Sequence, residues 1–259
     1  MKFAAGVEYD GSRFCGWQSQ VGVRTVQDCV EWALSKVANQ STRVITAGRT
    51  DTGVHACGQV VHFESDLDRG EFGWRRGVTS NLPDDVAFLW VKPVTDDFHA
   101  RFCATERRYR YIILNRPTRP TYLNRRVTWE YRPLDEVRMQ EAARYLPGIH
   151  DFSAYRAKGC QAKSPIRDLR RLEVRRRGDL LCIDVDANAF LQHMVRNIAG
   201  VLMTIGAGER KPVWADEILQ TRQRALGGVT APPDGLYLMS VVYPSQYGLP
   251  QQTTHCGPW

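Results

Sequence analysis

The 259-residue sequence has no hydrophobic run of the roughly 20 residues that a membrane-spanning helix needs. Residues Met1 to Tyr9 alternate in polarity and meet a charge at Asp10. They lack the continuous apolar core of a secretory signal, so the expected location is the cytoplasm. No two cysteines have Cys-x-x-Cys spacing, and the seven present (15, 29, 57, 103, 160, 182 and 256) are odd in number. Both facts argue against a disulfide framework and a zinc knuckle. Most of these cysteines read as small apolar residues in a reducing compartment. There is no Walker loop and no Gly-x-Gly-x-x-Gly, so no nucleotide cofactor is implied. Acidic residues are also in deficit. Twenty-eight Asp and Glu face 35 Lys and Arg, which leaves a net charge of +7 and a pI of about 9.1. That balance suits a polyanionic partner. The basic side chains are biased towards arginine, which forks onto phosphate and stacks on bases better than lysine does.

What is present is ordinary for a globular protein, with 43% hydrophobic and 24% charged residues. The length allows two modest domains or one large one. Lys2–Tyr9 alternates as a strand that Asp10-Gly11-Ser12 ends. Thr25 caps a helix with Asp28 three residues on, and Val26, Cys29, Val30, Ala33, Leu34 and Val37 form its apolar stripe. Gln59–Glu64 and Val86–Val91 read as strands, with a turn at Asn81–Asp85 between them. Arg108–Leu114 opens a second unit. Leu134–Tyr145 is helical and stops at Pro147-Gly148. Arg167–Arg177 and Leu180–Ala187 form a hairpin about Gly178-Asp179. Phe190–Ile205 and Asp216–Leu226 read as helices, and Leu236–Tyr243 as a last strand. The order predicts an α+β fold written twice, with a seam near residues 95–106. The expected division is 1–103, 104–245 and a loosely held tail, 246–259.

Three stretches carry possible chemistry. The first is Gly48-Arg49-Thr50-Asp51-Thr52-Gly53-Val54-His55-Ala56. Its glycines predict a sharp exposed loop around one carboxylate. Asp51 beside a fixed cation stays ionised and is a candidate nucleophile or base. The alternative is an Asp that bonds its own turn and pairs with Arg49. The second stretch is Arg107-Arg108-Tyr109-Arg110-Tyr111. In a strand, Tyr109 and Tyr111 share one face, Arg108 and Arg110 the other. Tyr109 is either a core aromatic or a ring that stacks on an extruded base. The third is Asn188-Ala189-Phe190-Leu191-Gln192-His193-Met194-Val195-Arg196-Asn197. At about 100° per residue, Phe190, Met194, Ile198, Val201 and Ile205 cluster on one face, and Arg196 falls nearly opposite them, with His193 and Gly200 on its side. Gly200 lets another group approach closely, at a helix cost of roughly 1 kcal/mol. Arg196 is either a solvated side chain or a functional one.

These stretches resemble the three motifs of the tRNA pseudouridine synthase A family. Thr52 stands where that pattern more often has Ala, a change between small residues. The resemblance implies the pseudouridine synthase fold: two α+β halves, their mostly antiparallel sheets joined, with a central cleft. It implies that the protein isomerises uridine to pseudouridine at positions 38, 39 and 40 of the tRNA anticodon arm. Asp51 then acts as nucleophile or base, Tyr109 stacks on the target uracil, and Arg196 pairs with Asp51. Arg49 helps displace the base, and Arg107, Arg108 and His193 join the substrate contacts. No cofactor and no metal are implied, and the family works as homodimers across which tRNA lies. Two other classes stay open from the residues alone. One is a catalytically silent RNA-binding protein. The other is a metal hydrolase on His55, His62 and Asp51, although six residues separate the histidines and no His-x-x-x-His supports it.

Overall fold

The computed structural model describes residues 1–250. In chain order its elements are β1 (Lys2–Tyr9), α1 (Val26–Ala38), β2 (Ile45–Thr46), β3 (His55–Glu64), α2 (Gly70–Asn81), β4 (Val86–Val94), β5 (Glu106–Asn115), β6 (Thr128–Glu130), α3 (Glu136–Ala143), β7 (Gly148–Asp151), β8 (Ile166–Arg177), β9 (Leu180–Ala187), α4 (Met194–Gly206), α5 (Trp214–Thr221) and β10 (Leu236–Val242). They form two compact units. One holds Met1–Thr105 and the described chain from Tyr237 on; the other holds Glu106–Leu236.

In the first unit β1 lies between β4 and β3, antiparallel to both, and β10 pairs with β3 in parallel. The Thr25 hydroxyl accepts the Asp28 N–H (3.3 Å) and caps α1. The predicted stripe turns Val26, Val30, Ala33 and Leu34 into the core. Phe3 stacks on Phe63 at 5.4 Å, and Phe63 meets the Trp74 ring of α2 at 5.2 Å. A separate apolar cluster holds Ala4, Ala47, Val60, Phe98 and Ala100. Burying such side chains contributes roughly 25 cal/mol per Å², the main stabilising term here.

In the second unit β9 is antiparallel to β5 and to β8, β7 extends the sheet beyond β8, and β6 pairs in parallel with β5. The hairpin turn falls on Gly178 at φ +59°, as the sequence predicts. Tyr109 and Tyr111 lie on the inward face of β5 and Arg108 and Arg110 on the other. Tyr111 is fully buried, its hydroxyl bonded to Thr128 Oγ1 (2.6 Å) and donating to the Pro232 carbonyl (2.8 Å). Among the described residues no helix is long and apolar enough to cross a membrane.

Both units are α+β with mostly antiparallel sheets, in line with expectation. Four details differ. The helix expected from Phe190 begins at Met194, because His193 adopts a left-handed conformation (φ +61°) that a helix cannot continue through. The helix expected at 216–226 spans 214–221 and stops at left-handed Arg222. From Tyr237 on, the last strand belongs to the first unit, not to the half ending at 245. Part of the expected loose tail is held: the Tyr247 hydroxyl reaches Asp97 Oδ2 (3.2 Å) and Cys103 Sγ (3.3 Å). The rest of that tail, 251–259, lies outside the described residues.

Candidate active site

The Asp51 loop connects β2 to β3, and its backbone is gripped from behind by residues 9–17. Thr50 is buried; its hydroxyl bonds to Tyr9 OH (2.8 Å), and its carbonyl accepts the Trp17 N–H (3.1 Å). The Gly53 N–H donates to the Phe14 carbonyl (3.3 Å), and the Val54 N–H closes the turn onto the Asp51 carbonyl (3.1 Å). Gln59 Nε2 donates to the Gly48 carbonyl (2.7 Å). Gly16, at φ +83°, lies against this loop: a Cβ there would sit 2.7 Å from the Thr50 carbonyl oxygen. Asp51 itself is half-buried, between exposed Arg49 and exposed Thr52. A clamped backbone under a partly solvated carboxylate is what a preorganised reactive group requires, and it sets Asp51 apart from a packed core residue.

The histidines beside the loop hold backbone. His55 is buried, its Nδ1 3.0 Å from the Gly11 N–H, and its ring stacks on Tyr237 at 4.5 Å. His62 Nδ1 accepts the Ala100 N–H (3.0 Å). Burial, helped by the nearby His99 and Lys2 charges, pushes the His62 pKa down to about 4. Among the described residues, no three His, Cys, Asp or Glu side chains are grouped to hold a metal ion.

The other predicted residues lie in the second unit. Tyr109 is 9% exposed and meets the Phe190 ring edge-on at 5.0 Å. Arg107 shares its face of β5 and donates from Nη1 to the Asn188 carbonyl (2.8 Å). Arg108 faces the opposite way. There it joins an ion-pair lattice: Arg108 Nε to Glu106 (2.7 Å), Arg170 Nη1 to Glu106 (2.9 Å), and Arg110 Nε to Asp184 (2.6 Å), which Arg175 also contacts. The structure thus groups Arg107 with Tyr109 and separates Arg108 from them.

Arg196 sits in the first turn of α4, half-buried. Its Nε donates to the Ala231 carbonyl (2.8 Å), and its own carbonyl accepts the Ala231 N–H (3.1 Å). That strap lies so close because residue 200 has no side chain: a Cβ on Gly200 would overlap the Val229 carbonyl oxygen and lie 3.1 Å from its carbon. The expected close approach at Gly200 is therefore made by backbone. His193 caps the helix with its backbone, its carbonyl accepting the Asn197 N–H (2.8 Å). Arg196 is thus anchored through its guanidinium Nε, and Asp51 through the backbone on either side of it. The Tyr9, Gly16 and Gln59 supports were not singled out in the sequence, where Tyr9 reads only as the last residue of a strand.

A family model described as tRNA pseudouridine synthase matches residues 5–103 and 142–244. The matched segments contain Arg49, Asp51, His193 and Arg196; Tyr109 and the neighbouring arginines fall between them. Curated relatives span the whole chain. A tRNA pseudouridine synthase A of Nitrosococcus oceani is 60% identical over 100% of both chains. That of Alcanivorax borkumensis is 56% identical over 97% of this chain and 94% of its own. That of Pseudomonas aeruginosa is 53% identical over 99% of this chain and 90% of its own. With two matched segments that take in the clamped Asp51 loop and the Arg196 helix, and relatives alike from end to end, this chain belongs to the tRNA pseudouridine synthase family.

Proposed function

We propose that this enzyme isomerises uridine to pseudouridine at positions 38, 39 and 40 of the tRNA anticodon arm, with Asp51 as the reactive carboxylate. The observation that carries the reading is the loop itself: a half-buried Asp whose flanking backbone is hydrogen-bonded on both sides. In this reaction the bond from C1′ to N1 breaks and one from C1′ to C5 forms. N1 gains a proton, and the C5 hydrogen leaves to water. Atoms balance without a cofactor, so the assigned chemistry calls for none. The target base must leave its stack, which costs a few kcal/mol and least in loops and stem ends.

Tyr109 stacks on the uracil, and Arg196 keeps the Asp51 carboxylate ionised as the entering base strips its water. Arg49, exposed two residues before Asp51, helps displace the base, with Arg107, Arg108 and His193 contributing to tRNA contact. Arg108 does so by leaving its pairing with Glu106. The enzyme works in the cytoplasm as a homodimer and without a metal, in keeping with its family resemblance.

The test is release of tritium from tRNA labelled at uracil C5, in EDTA. Release by the native enzyme that vanishes in Asp51→Ala supports the assignment. Release abolished by EDTA overturns the metal-free chemistry. No release, with salt-sensitive tRNA binding retained, returns the reading to a silent RNA-binding protein.

A further inference from the structure

The end of β1 touches the Asp51 loop on both sides of the carboxylate. Ahead of Asp51, Tyr9 OH bonds to Thr50 Oγ1 at 2.8 Å, wholly away from solvent. Behind it, the Gly11 N–H meets His55 Nδ1 at 3.0 Å, and Gly11 packs so tightly on the Val54 carbonyl that no Cβ fits between them. Tyr9 is 4% exposed, and burial pushes its hydroxyl pKa up to about 12, against the opposing hydrogen bonds of Thr50 and Gln59. It therefore keeps its proton across the working range. Nothing in packing requires that hydroxyl: the Tyr9 ring already fills its place against Trp17, 5.9 Å away. A phenylalanine would fill the same space. A buried hydroxyl costs free energy unless bonded, so its presence here points to the bond it makes.

We propose that Tyr9 is a positioning residue, whose hydroxyl acts through Thr50 to fix the backbone on which Asp51 stands. The proposal rests on Asp51 being the reactive carboxylate. Thr50 is joined to the neighbouring loop at two points, its hydroxyl to Tyr9 and its carbonyl to the Trp17 N–H. Two fixed points on one residue set the direction in which the next residue leaves. Loosening one of them misplaces the carboxylate by a fraction of an ångström, enough to lower the rate of a step that depends on aim. Apart from Arg49, the groups assigned to tRNA contact lie outside this loop, so the substrate binds nearly as before.

The experiment compares native enzyme with Tyr9→Phe, Thr50→Val, Thr50→Ser, the double variant Tyr9→Phe/Thr50→Val, and Asp51→Ala. Tritium release gives kcat and KM, filter binding gives tRNA affinity, and thermal melts check the fold. The expected result is a kcat about tenfold lower in Tyr9→Phe and in Thr50→Val, with KM and tRNA affinity unchanged. The double variant should lose no more than the worse single one, and Thr50→Ser, which keeps the hydroxyl, should restore most of the rate. Native kcat in Tyr9→Phe overturns the proposal, as do losses that multiply in the double variant. An active Asp51→Ala overturns the underlying assignment instead. If Tyr9→Phe melts early, the unfolded fraction is measured and kcat taken per folded molecule, so the comparison with Thr50→Ser still decides.

Discussion

Gly200→Ala sets two physical effects against each other. In a free helix the change stabilises by up to about 1 kcal/mol, because alanine is the better helix former. Here the new methyl would stand 3.1 Å from the Val229 carbonyl carbon and 3.4 Å from the Ala231 nitrogen, with the Val229 oxygen nearer still. All three are backbone atoms, so no side-chain rotation relieves the overlap. Overpacking of this kind costs about 1–3 kcal/mol. The difference is a net loss of about 0–2 kcal/mol, and overlap with a backbone oxygen places it in the upper half, about 1–2 kcal/mol or roughly 2–8 °C in Tm for a chain of this size. The strap has one way to yield. Val229 is 82% exposed and follows Gly227-Gly228, so residues 229–231 can move outwards. That motion drags away the Ala231 carbonyl that accepts from Arg196 Nε, and the stability is recovered at the cost of turnover. Calorimetry and tritium release, run on the same preparation, separate the two routes. An unchanged or raised Tm together with native kcat would refute the reasoning.

Three further outcomes are expected. His62 is neutral in the fold, with its pKa at about 4 against 6.5 when exposed, so the unfolded chain binds the extra proton between those values. Stability should fall by up to about 3 kcal/mol as the pH drops from 6.5 to 4, and His62→Asn should flatten that part of a urea-melt profile if His62 is its source. Asp184 is buried, which opposes its ionisation, but hydrogen bonds from Arg110 and Arg175 outweigh burial and hold its carboxyl below the usual range. Asp184→Asn should lower unfolding free energy by about 3 kcal/mol near neutral pH, and a change under 0.5 kcal/mol would show that the lattice is solvated ornament. Arg196→Lys keeps the charge but cannot both meet the Ala231 carbonyl and offer a fork, so kcat should fall on the order of a hundredfold with tRNA affinity retained. Native turnover in that variant would remove Arg196 from the mechanism.

The local chemistry of the chain was legible wherever it is governed by neighbours in sequence. Thr25 and Asp28 cap α1 as their spacing predicts, and β8 ends and β9 begins on either side of Gly178-Asp179. The Asp51 loop and the two faces of β5 follow from glycine spacing and strand alternation. What escaped is set by distant partners or by weak patterns. Helix α2 carries Gly70, Gly73 and Gly77, has no side-chain cap at Arg69, and buries only Trp74 and Val78, so its periodicity is faint. Strand β6 is three residues long and exists because β5 offers it an edge. Phe190 and Leu191 continue the helical spacing of α4, yet His193 turns left-handed before it, and no residue there announces the break. The support that Tyr9 lends to Thr50 joins positions 41 residues apart, a relation that no local pattern encodes.

The strand that completes the first unit, β10, comes after all the other described strands in the chain. Tyr237 stacks on His55 at the start of the strand leaving the Asp51 loop, and its backbone pairs there too. On a ribosome, the Asp51 loop therefore emerges early and waits while the entire second unit is synthesised, a delay on the order of ten seconds at about 5–20 residues per second. Until then the His55–Ala56 end of β3 lacks its β10 partner and the His55 ring its cover. A chain that ends before residue 237 carries all three motif stretches and still lacks the strand that covers His55. The packing beside the Asp51 loop is thus completed by residues that lie some 180 positions further along the chain.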